Sequence, residues 1–350
     1  MPLKIYCEIS DGASTWVRTG WKNVFENCGH NFIFFREHSN VFDLFNKLGR
    51  PDILIATTYN FNNSLFKLTK KYPETKVILF GSAFGPLLKE IDLSQYPIDY
   101  AKQQEKDLIK RLKNETGKPD FIFIHTPDFF VDKILGGWEE EYKIPVYGIM
   151  NAADPHVYFS VSEKSNRYTC DIGYVGGYWP YKARSLDKYI SRLCNEKLFD
   201  LNIKIFGNGW NLPQHLGNLN FGDDNLLFNN SKICINISEE HSYIFPDFIE
   251  RLFKCPIANG FLISDNVKDI ERIYPNGELP VFKTYEEMIG LIDFYLKNDE
   301  ERNNLLNKQK TAILSSHTYY HRINKMLTLL NLEDEANNIL KNYEKLLGFN

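Results

Sequence analysis

Short apolar runs bounded by polar or turn residues recur along the first 150 positions: LKIYCEI, NFIFF, DILIATT, KVILFGS, FIFIHT and VYGIM. Runs this brief and this continuous suit strands buried on both faces of a parallel sheet. Between the first two lies WVRTGWKNVFENCG, with apolar residues at helical spacing. A polar SDGAST loop precedes it, and Gly29 follows as a C-cap candidate. Strands that alternate with helices predict βαβ units, and hence a Rossmann-like domain over 1–150.

The stretch NAADPHVYFSVSEKSNRYT follows neither period and is polar, so 151–168 is expected to be a linker. The alternation then restarts with CDIGYVGG, a helix from Ser185 to Leu198, NIKIFGN, ICINIS, a helix ending near Cys255, GFLISD and LPVFK. These elements predict a second Rossmann-like domain over 169–315. From Tyr285 onward apolar residues fall three and four apart, and 316–350 is expected to close the chain as helices.

Composition narrows the class. With 350 residues, 43% hydrophobic and 25% charged, the chain is long enough for two globular domains. A net charge of −4 argues against general affinity for nucleic acid. The N-terminus lacks the apolar core of a signal peptide, and no run approaches the roughly 18 apolar residues of a membrane span. A cytoplasmic protein without a transmembrane segment is expected. The 6 cysteines are scattered with no C-x-x-C pair, so reduced core thiols are expected rather than a metal site. High counts of Phe, Tyr, Lys, Asn and Ile read first as coding bias.

Candidate chemistry sits at strand ends, where open α/β sheets bind ligands. After CDIGYV, Gly176 and Gly177 would let backbone N–H groups approach a phosphate, with Lys182 and Arg184 placed to neutralise a diphosphate. A tight turn before a surface helix is the alternative. Gly207 and Asn208 end the next strand in FGNGW, with Trp210 either a core plug or a neighbour of the nucleotide base. Glu250 and Lys254 stand four apart on one helix, which also suits a simple surface pair. In the first half, Asp11 and His125 stand at strand ends; Asp11 also suits a helix N-cap, and His125 a backbone hydrogen bond.

Two segments add a resemblance. PDFIERLFKCPIANGFLISD, Pro246 to Asp265, and HTYYHR, His317 to Arg322, resemble the C-terminal half of the spore-maturation CgeB-like glycosyltransferases, a branch of the GT-B superfamily. That family carries an R-[LVT]-F-E-x-x-A-C-G-G-F-like stretch and ends near H-T-Y-x-H-R. The resemblance implies two Rossmann-like domains facing each other across a cleft, with the last helices packing back on the first. It implies a sugar moved from a nucleotide-diphosphate donor to an acceptor that is a glycan, a lipid-linked sugar or a protein. The donor is a co-substrate, and no cofactor or metal is implied.

Under that resemblance Arg251 matches the family arginine, and Lys254 stands where a glutamate usually binds the donor ribose. Asn259 replaces the first of two glycines and Gly260 keeps the second. A lysine cannot accept from ribose hydroxyls and would rather meet a phosphate, so either the donor is held differently, with Glu250 as a substitute acceptor, or donor binding is impaired. The segment holding Ser238, Glu239, His241 and Tyr243 is expected to surround the donor sugar. His125 and Asp11 become candidates for the catalytic base on the acceptor. HTYYHR reads as structural. No D-x-D is present, and Asp223-Asp224 lies in a polar turn. A dehydrogenase is disfavoured because SDGAST is not G-x-G-x-x-G. A non-catalytic GT-B scaffold or nucleotide-sugar-binding protein stays open as the alternative.

Overall fold

Each apolar run described above enters one of two parallel sheets in a computed structural model that describes residues 1–9, 13–36, 41–57, 70–81, 119–135, 139–140, 143–197, 199–243 and 245–348. The chain divides into two compact units, Met1–Met150 with Tyr319–Asn350, and Asn151–Thr318.

The first unit contains β1 (Lys4–Ile9), α1 (Ala13–Asn27), β2 (Asn31–Arg36), α2 (Val41–Leu48), β3 (Ile53–Thr57), β4 (Lys76–Phe80), β5 (Phe121–Ile124), α3 (Asp128–Leu135) and β6 (Val146–Gly148). Its strands lie in the order β2-β1-β3-β4-β5-β6. Every residue of β3 and β5 is buried, which is why these strands read as unbroken apolar runs rather than alternating ones.

The second unit contains β7 (Cys170–Val175), α4 (Pro180–Leu186), α5 (Arg192–Glu196), β8 (Ile203–Phe206), α6 (Asp224–Asn230), β9 (Ser231–Asn236), α7 (Arg251–Ile257), β10 (Leu262–Asp265), β11 (Val281–Phe282), α8 (Tyr285–Lys297) and α9 (Asp299–Ser316). A π turn, Asp187–Ser191, joins α4 to α5. The order is β11-β10-β9-β7-β8. Connections leave β7 toward β8 on one side and β9 toward β10 on the other, so the carboxyl ends of β7 and β9 flank a topological switch point.

The stretch expected as a linker is instead part of the second unit. Asparagine side chains of α6 hold it as they would a strand. Phe159 N–H donates to Asn225 Oδ1 (3.1 Å), Val161 N–H to Asn229 Oδ1 (2.9 Å) and Ser165 N–H to Asn230 Oδ1 (3.1 Å). Asn229 Nδ2 returns a bond to the Phe159 carbonyl (3.1 Å). Backbone groups need partners but not a sheet, so a segment without periodicity still packs.

The start of α8 is specified locally. Thr284 Oγ1 accepts from Glu287 N–H (3.1 Å) and the Glu287 carboxylate accepts from Thr284 N–H (3.2 Å), a reciprocal capping box. The last two helices, α10 (Tyr319–Leu329) and α11 (Glu333–Leu346), belong to the first unit. There α10 lies so close to α1 that a Cβ on Gly20 would fall 2.4 Å from the Tyr319 ring. Arg322 Nε donates to the Met150 carbonyl (3.1 Å), and Tyr319, Tyr320 and Arg322 are buried, so HTYYHR is packing material.

Candidate functional site

At the switch point of the second unit, two glycine loops lie backbone to backbone. Gly176 N–H donates to the Phe206 carbonyl and Tyr178 N–H to the Asn208 carbonyl, both at 2.8 Å. Gly207 sits at φ +133°, and a Cβ there would come within 2.4 Å of the Gly176 oxygen. Only glycine tolerates that approach. Trp210 is the core plug: its Nε1–H donates to the Gly176 carbonyl (2.7 Å) and its ring packs against Tyr174 and Tyr178. Gly177 differs from its neighbours. Its N–H donates to no described residue, and an added Cβ would meet only the Asn208 oxygen, at 3.6 Å. The loop is open at Gly177, where a ligand oxygen can approach the backbone.

Two buried cations converge beside this loop. Arg251, the first residue of α7, reaches over the Tyr174 ring and straps the carboxyl ends of β7 and β9 together. Its Nη1 donates to Asn236 Oδ1 (2.8 Å), its Nη2 donates to the Val175 carbonyl, and its buried Nε–H has no partner among the described residues. Lys182, on the first turns of α4, is 5% exposed and has no carboxylate within ion-pair distance among the described residues. Burial pulls its pKa down to about 7, Arg251 adds to the depression, and Glu239 and Asp265 oppose it. A buried cation without a partner is costly to a fold and calls for an anion.

A polar wall completes the site. The Asp265 carboxylate ends β10 and accepts from Ser238 N–H (2.7 Å), Tyr243 Oη (2.8 Å), Ser238 Oγ (3.1 Å), Ser264 Oγ (3.2 Å) and Asn236 Nδ2 (3.2 Å). Burial raises its pKa against the pull of those donors and of Lys182. Ser238 and Tyr243, expected beside the donor sugar, are thus committed to Asp265. Tyr243 Oη also lies 3.3 Å from Ser185 Oγ. Glu239 faces Lys182 electrostatically, its pKa raised chiefly by burial. His241, buried in the short 3₁₀ turn Glu240–Tyr243, bonds Asp247 at 2.6 Å. Asp265, Asp247 and Asn236 were not among the site residues expected from the sequence. The terminal position of Asp265 in GFLISD was the available signal.

Several expected ligand residues have other duties. Arg184 is a surface residue paired with Glu240 (Nε to Oε1, 2.8 Å). Lys254 does not join the cations: it forms a buried ion pair with Asp224 (2.6 Å) and bonds Tyr158 Oη (3.3 Å). Burial works against its ammonium, but Asp224, Tyr158 and Glu250 outweigh burial and raise its pKa. Asn259 and Gly260 precede β10 and so stand at its amino end, opposite the switch point. Asn259 adopts the left-handed conformation (φ +61°) that ends α7, a position suited to asparagine. A Cβ on Gly260 would lie 2.7 Å from Cys255 Sγ, so that glycine serves close packing. Glu250 gives its carbonyl to the N–H groups of Phe253 and Lys254, opening α7.

In the first unit, His125 follows β5, and its Nδ1 bonds the Ile149 carbonyl at 2.8 Å. A carbonyl can only accept, so Nδ1 carries a proton and Nε2 is the ring nitrogen that can exchange one. Phe80 and Trp21 flank the ring. Asp11 lies outside the described residues. Among the described residues no group of three or more His, Cys, Asp or Glu side chains is arranged to hold a metal ion, and no helix is long and apolar enough to cross a membrane.

Comparison with known proteins agrees with this architecture. Residues 184–328 match the family model described as "Glycosyl transferase-like", so the chain carries a glycosyltransferase family domain. Sucrose-phosphate synthase from Thermosynechococcus elongatus superposes with a TM-score of 0.64 at 10% identity, covering 94% of this chain and 98% of that one. Anabaena Alr3699/HepE, in complex with UDP and glucose, gives 0.63 at 9% identity over 94% and 99%. The T4 phage BGT gives 0.54 at 13% identity over 96% and 99% in complex with UDP-glucose, and 0.50 at 14% identity over 96% and 99% with UDP and Mn2+. The fold is GT-B. No curated protein matches the chain in sequence.

Proposed function

We propose that the protein is a glycosyltransferase that holds a nucleotide-diphosphate sugar, most simply a UDP-sugar, on its second unit. The observation that carries this reading is Lys182: a buried lysine without an ion-pair partner among the described residues, within electrostatic reach of Arg251 and on the helix that follows the open Gly177 loop. A diphosphate supplies the missing negative charge, and the three groups stabilise it as a leaving group. Binding of UDP or UDP-glucose by the HepE and BGT neighbours favours uridine donors. In the transfer, an acceptor hydroxyl oxygen bonds the anomeric carbon, the bond to the diphosphate oxygen breaks, and the hydroxyl proton passes to a base. His125 Nε2 is our candidate for that base. The acceptor is a hydroxyl of a glycan, a lipid-linked sugar or a protein.

Thermal-shift titration with UDP-, GDP- and ADP-sugars tests the reading, because any ligand of the native state stabilises it. One donor class should raise the melting temperature; no shift with any of them would reject the proposal. We also propose that the cationic groups suffice without a divalent ion. Donor turnover should then persist in excess chelator, and loss of activity restored by Mg2+ or Mn2+ would reject that part. A nucleotide-sugar-binding protein without turnover would bind a donor yet release no nucleotide over many hours.

A further inference from the structure

Asp247 has no place in the diphosphate contacts, yet it makes one of the shorter side-chain bonds of the second unit. His241 Nε2 and Asp247 Oδ2 are 2.6 Å apart. Asp247 Oδ2 accepts from Nε2–H, and on the opposite edge of the ring Nδ1 lies 3.5 Å from Glu239 Oε2, a carboxylate it donates to when it too carries a proton. Phe245 stacks on the imidazole at 4.8 Å with 22° between the planes, which limits its rotation. The loop is pinned at both sides: Lys268 N–H donates to the Ser242 carbonyl (2.9 Å), and Ser238 N–H donates to Asp265 (2.7 Å). The result is a row of alternating character, Asp247, His241, Glu239 and Lys182. His241 is buried while Glu239 keeps a quarter of its side chain exposed. Exposure therefore lies at the Glu239 end, beside the cation assigned to the diphosphate.

A carboxylate next to a diphosphate site repels the phosphates and accepts from hydroxyls. The hydroxyls nearest a bound diphosphate are those of the sugar it carries. We propose that Asp247 is a positioning residue that acts through His241 to hold Glu239 as the hydroxyl acceptor for the donor sugar. This inference rests on the donor site proposed above. It assigns Glu239 to the hydroxyls of the donor sugar, which UDP alone lacks. Truncating Asp247, His241 or Glu239 should then lower the affinity for UDP-glucose relative to that for UDP.

The test is calorimetric titration of UDP and UDP-glucose into the wild type and the variants Glu239→Ala, Asp247→Leu and Asp247→Asn. The ratio of the two affinities should fall about tenfold in Glu239→Ala and Asp247→Leu, equivalent to one good hydrogen bond to a charged group. Asp247→Asn, whose amide oxygen still accepts from Nε2–H, should restore most of it. Glu239→Ala changes a partly exposed side chain and serves if Asp247→Leu fails to fold. An unchanged ratio in Glu239→Ala would overturn the sugar contact. Equal loss of UDP and UDP-glucose binding in Asp247→Leu, or no rescue by Asn, would reduce Asp247 to a structural residue. A wild type that binds neither ligand would instead reject the donor site itself.

Discussion

Lys182 and Lys254 are buried to nearly the same degree in the same unit, at 5% and 6% exposure, and their surroundings push them in opposite directions. Around Lys254 the fold supplies a complete partner set, Asp224 at 2.6 Å and Tyr158, and the ammonium is held in its charged form. Around Lys182 it supplies a second cation, with carboxylates only at longer range, and the pKa drops to about 7. The first is a closed ion pair that joins α7 to α6. The second is a half-finished one. Type and burial do not separate a structural lysine from a ligand-binding one; the separation comes from whether the fold already contains the counter-charge.

The largest contrast should appear in stability. Lys254→Met leaves Asp224 buried without its partner and is expected to cost about 3–5 kcal/mol of unfolding free energy, with donor affinity unchanged in whatever fraction stays folded. Denaturant unfolding followed by circular dichroism measures it. A loss below about 1 kcal/mol would remove the distinction between the two lysines.

Next in size is a pair of glycines. Gly207→Ala presses a methyl group onto the Gly176 backbone at 2.4 Å and forces a side chain to φ +133°, so a loss of about 2–3 kcal/mol is expected. Gly177→Ala meets nothing closer than 3.6 Å and should leave the melting temperature within about 2 °C of wild type. If Gly207→Ala proved as harmless as Gly177→Ala, the backbone contact that shapes the open loop would not exist.

A pH-dependent effect sharpens the account of Lys182. Its folded pKa near 7 lies below the unfolded value, so the ligand-free fold bears a penalty that grows as pH falls from about 10 to 7 and is constant below. Relative to Lys182→Met, the wild type should therefore gain stability as pH rises through that window. Donor binding should restore the ammonium and take up close to one proton at pH 8 and almost none at pH 6. UDP-glucose suits this measurement because its diphosphate, esterified at both ends, does not titrate there. Calorimetry in two buffers of different ionisation enthalpy reads the proton count; no uptake at pH 8 would contradict the assignment.

The sheets were legible because strands buried on both faces leave apolar runs in the chain, as FIFI and DILIAT do. The 151–168 segment was not, because its partners are three asparagines about 65 residues away and such pairing leaves no local period. Within the site, the loop at Gly176 and Gly177, Lys182 and Arg251 could be read from strand ends and from the family pattern. The role of Lys254 could not, since Asp224 stands 30 residues before it and looked like part of a polar turn. Asn259 and Gly260 were misplaced for a geometrical reason. They precede their strand, and in a parallel sheet a turn before a strand lies at the end remote from the ligand.

The most direct test of the central claim is titration of UDP-glucose into wild type and Lys182→Met at pH 7, with the melting temperature of each ligand-free protein recorded alongside. Removing a buried, unpartnered charge should raise the melting temperature by a few degrees. Removing the counter-charge of the diphosphate should weaken binding by about 1.5–3 kcal/mol, roughly 10- to 150-fold. Unchanged affinity in Lys182→Met, together with a lowered melting temperature, would show that Lys182 belongs to the fold and that the anion site lies elsewhere.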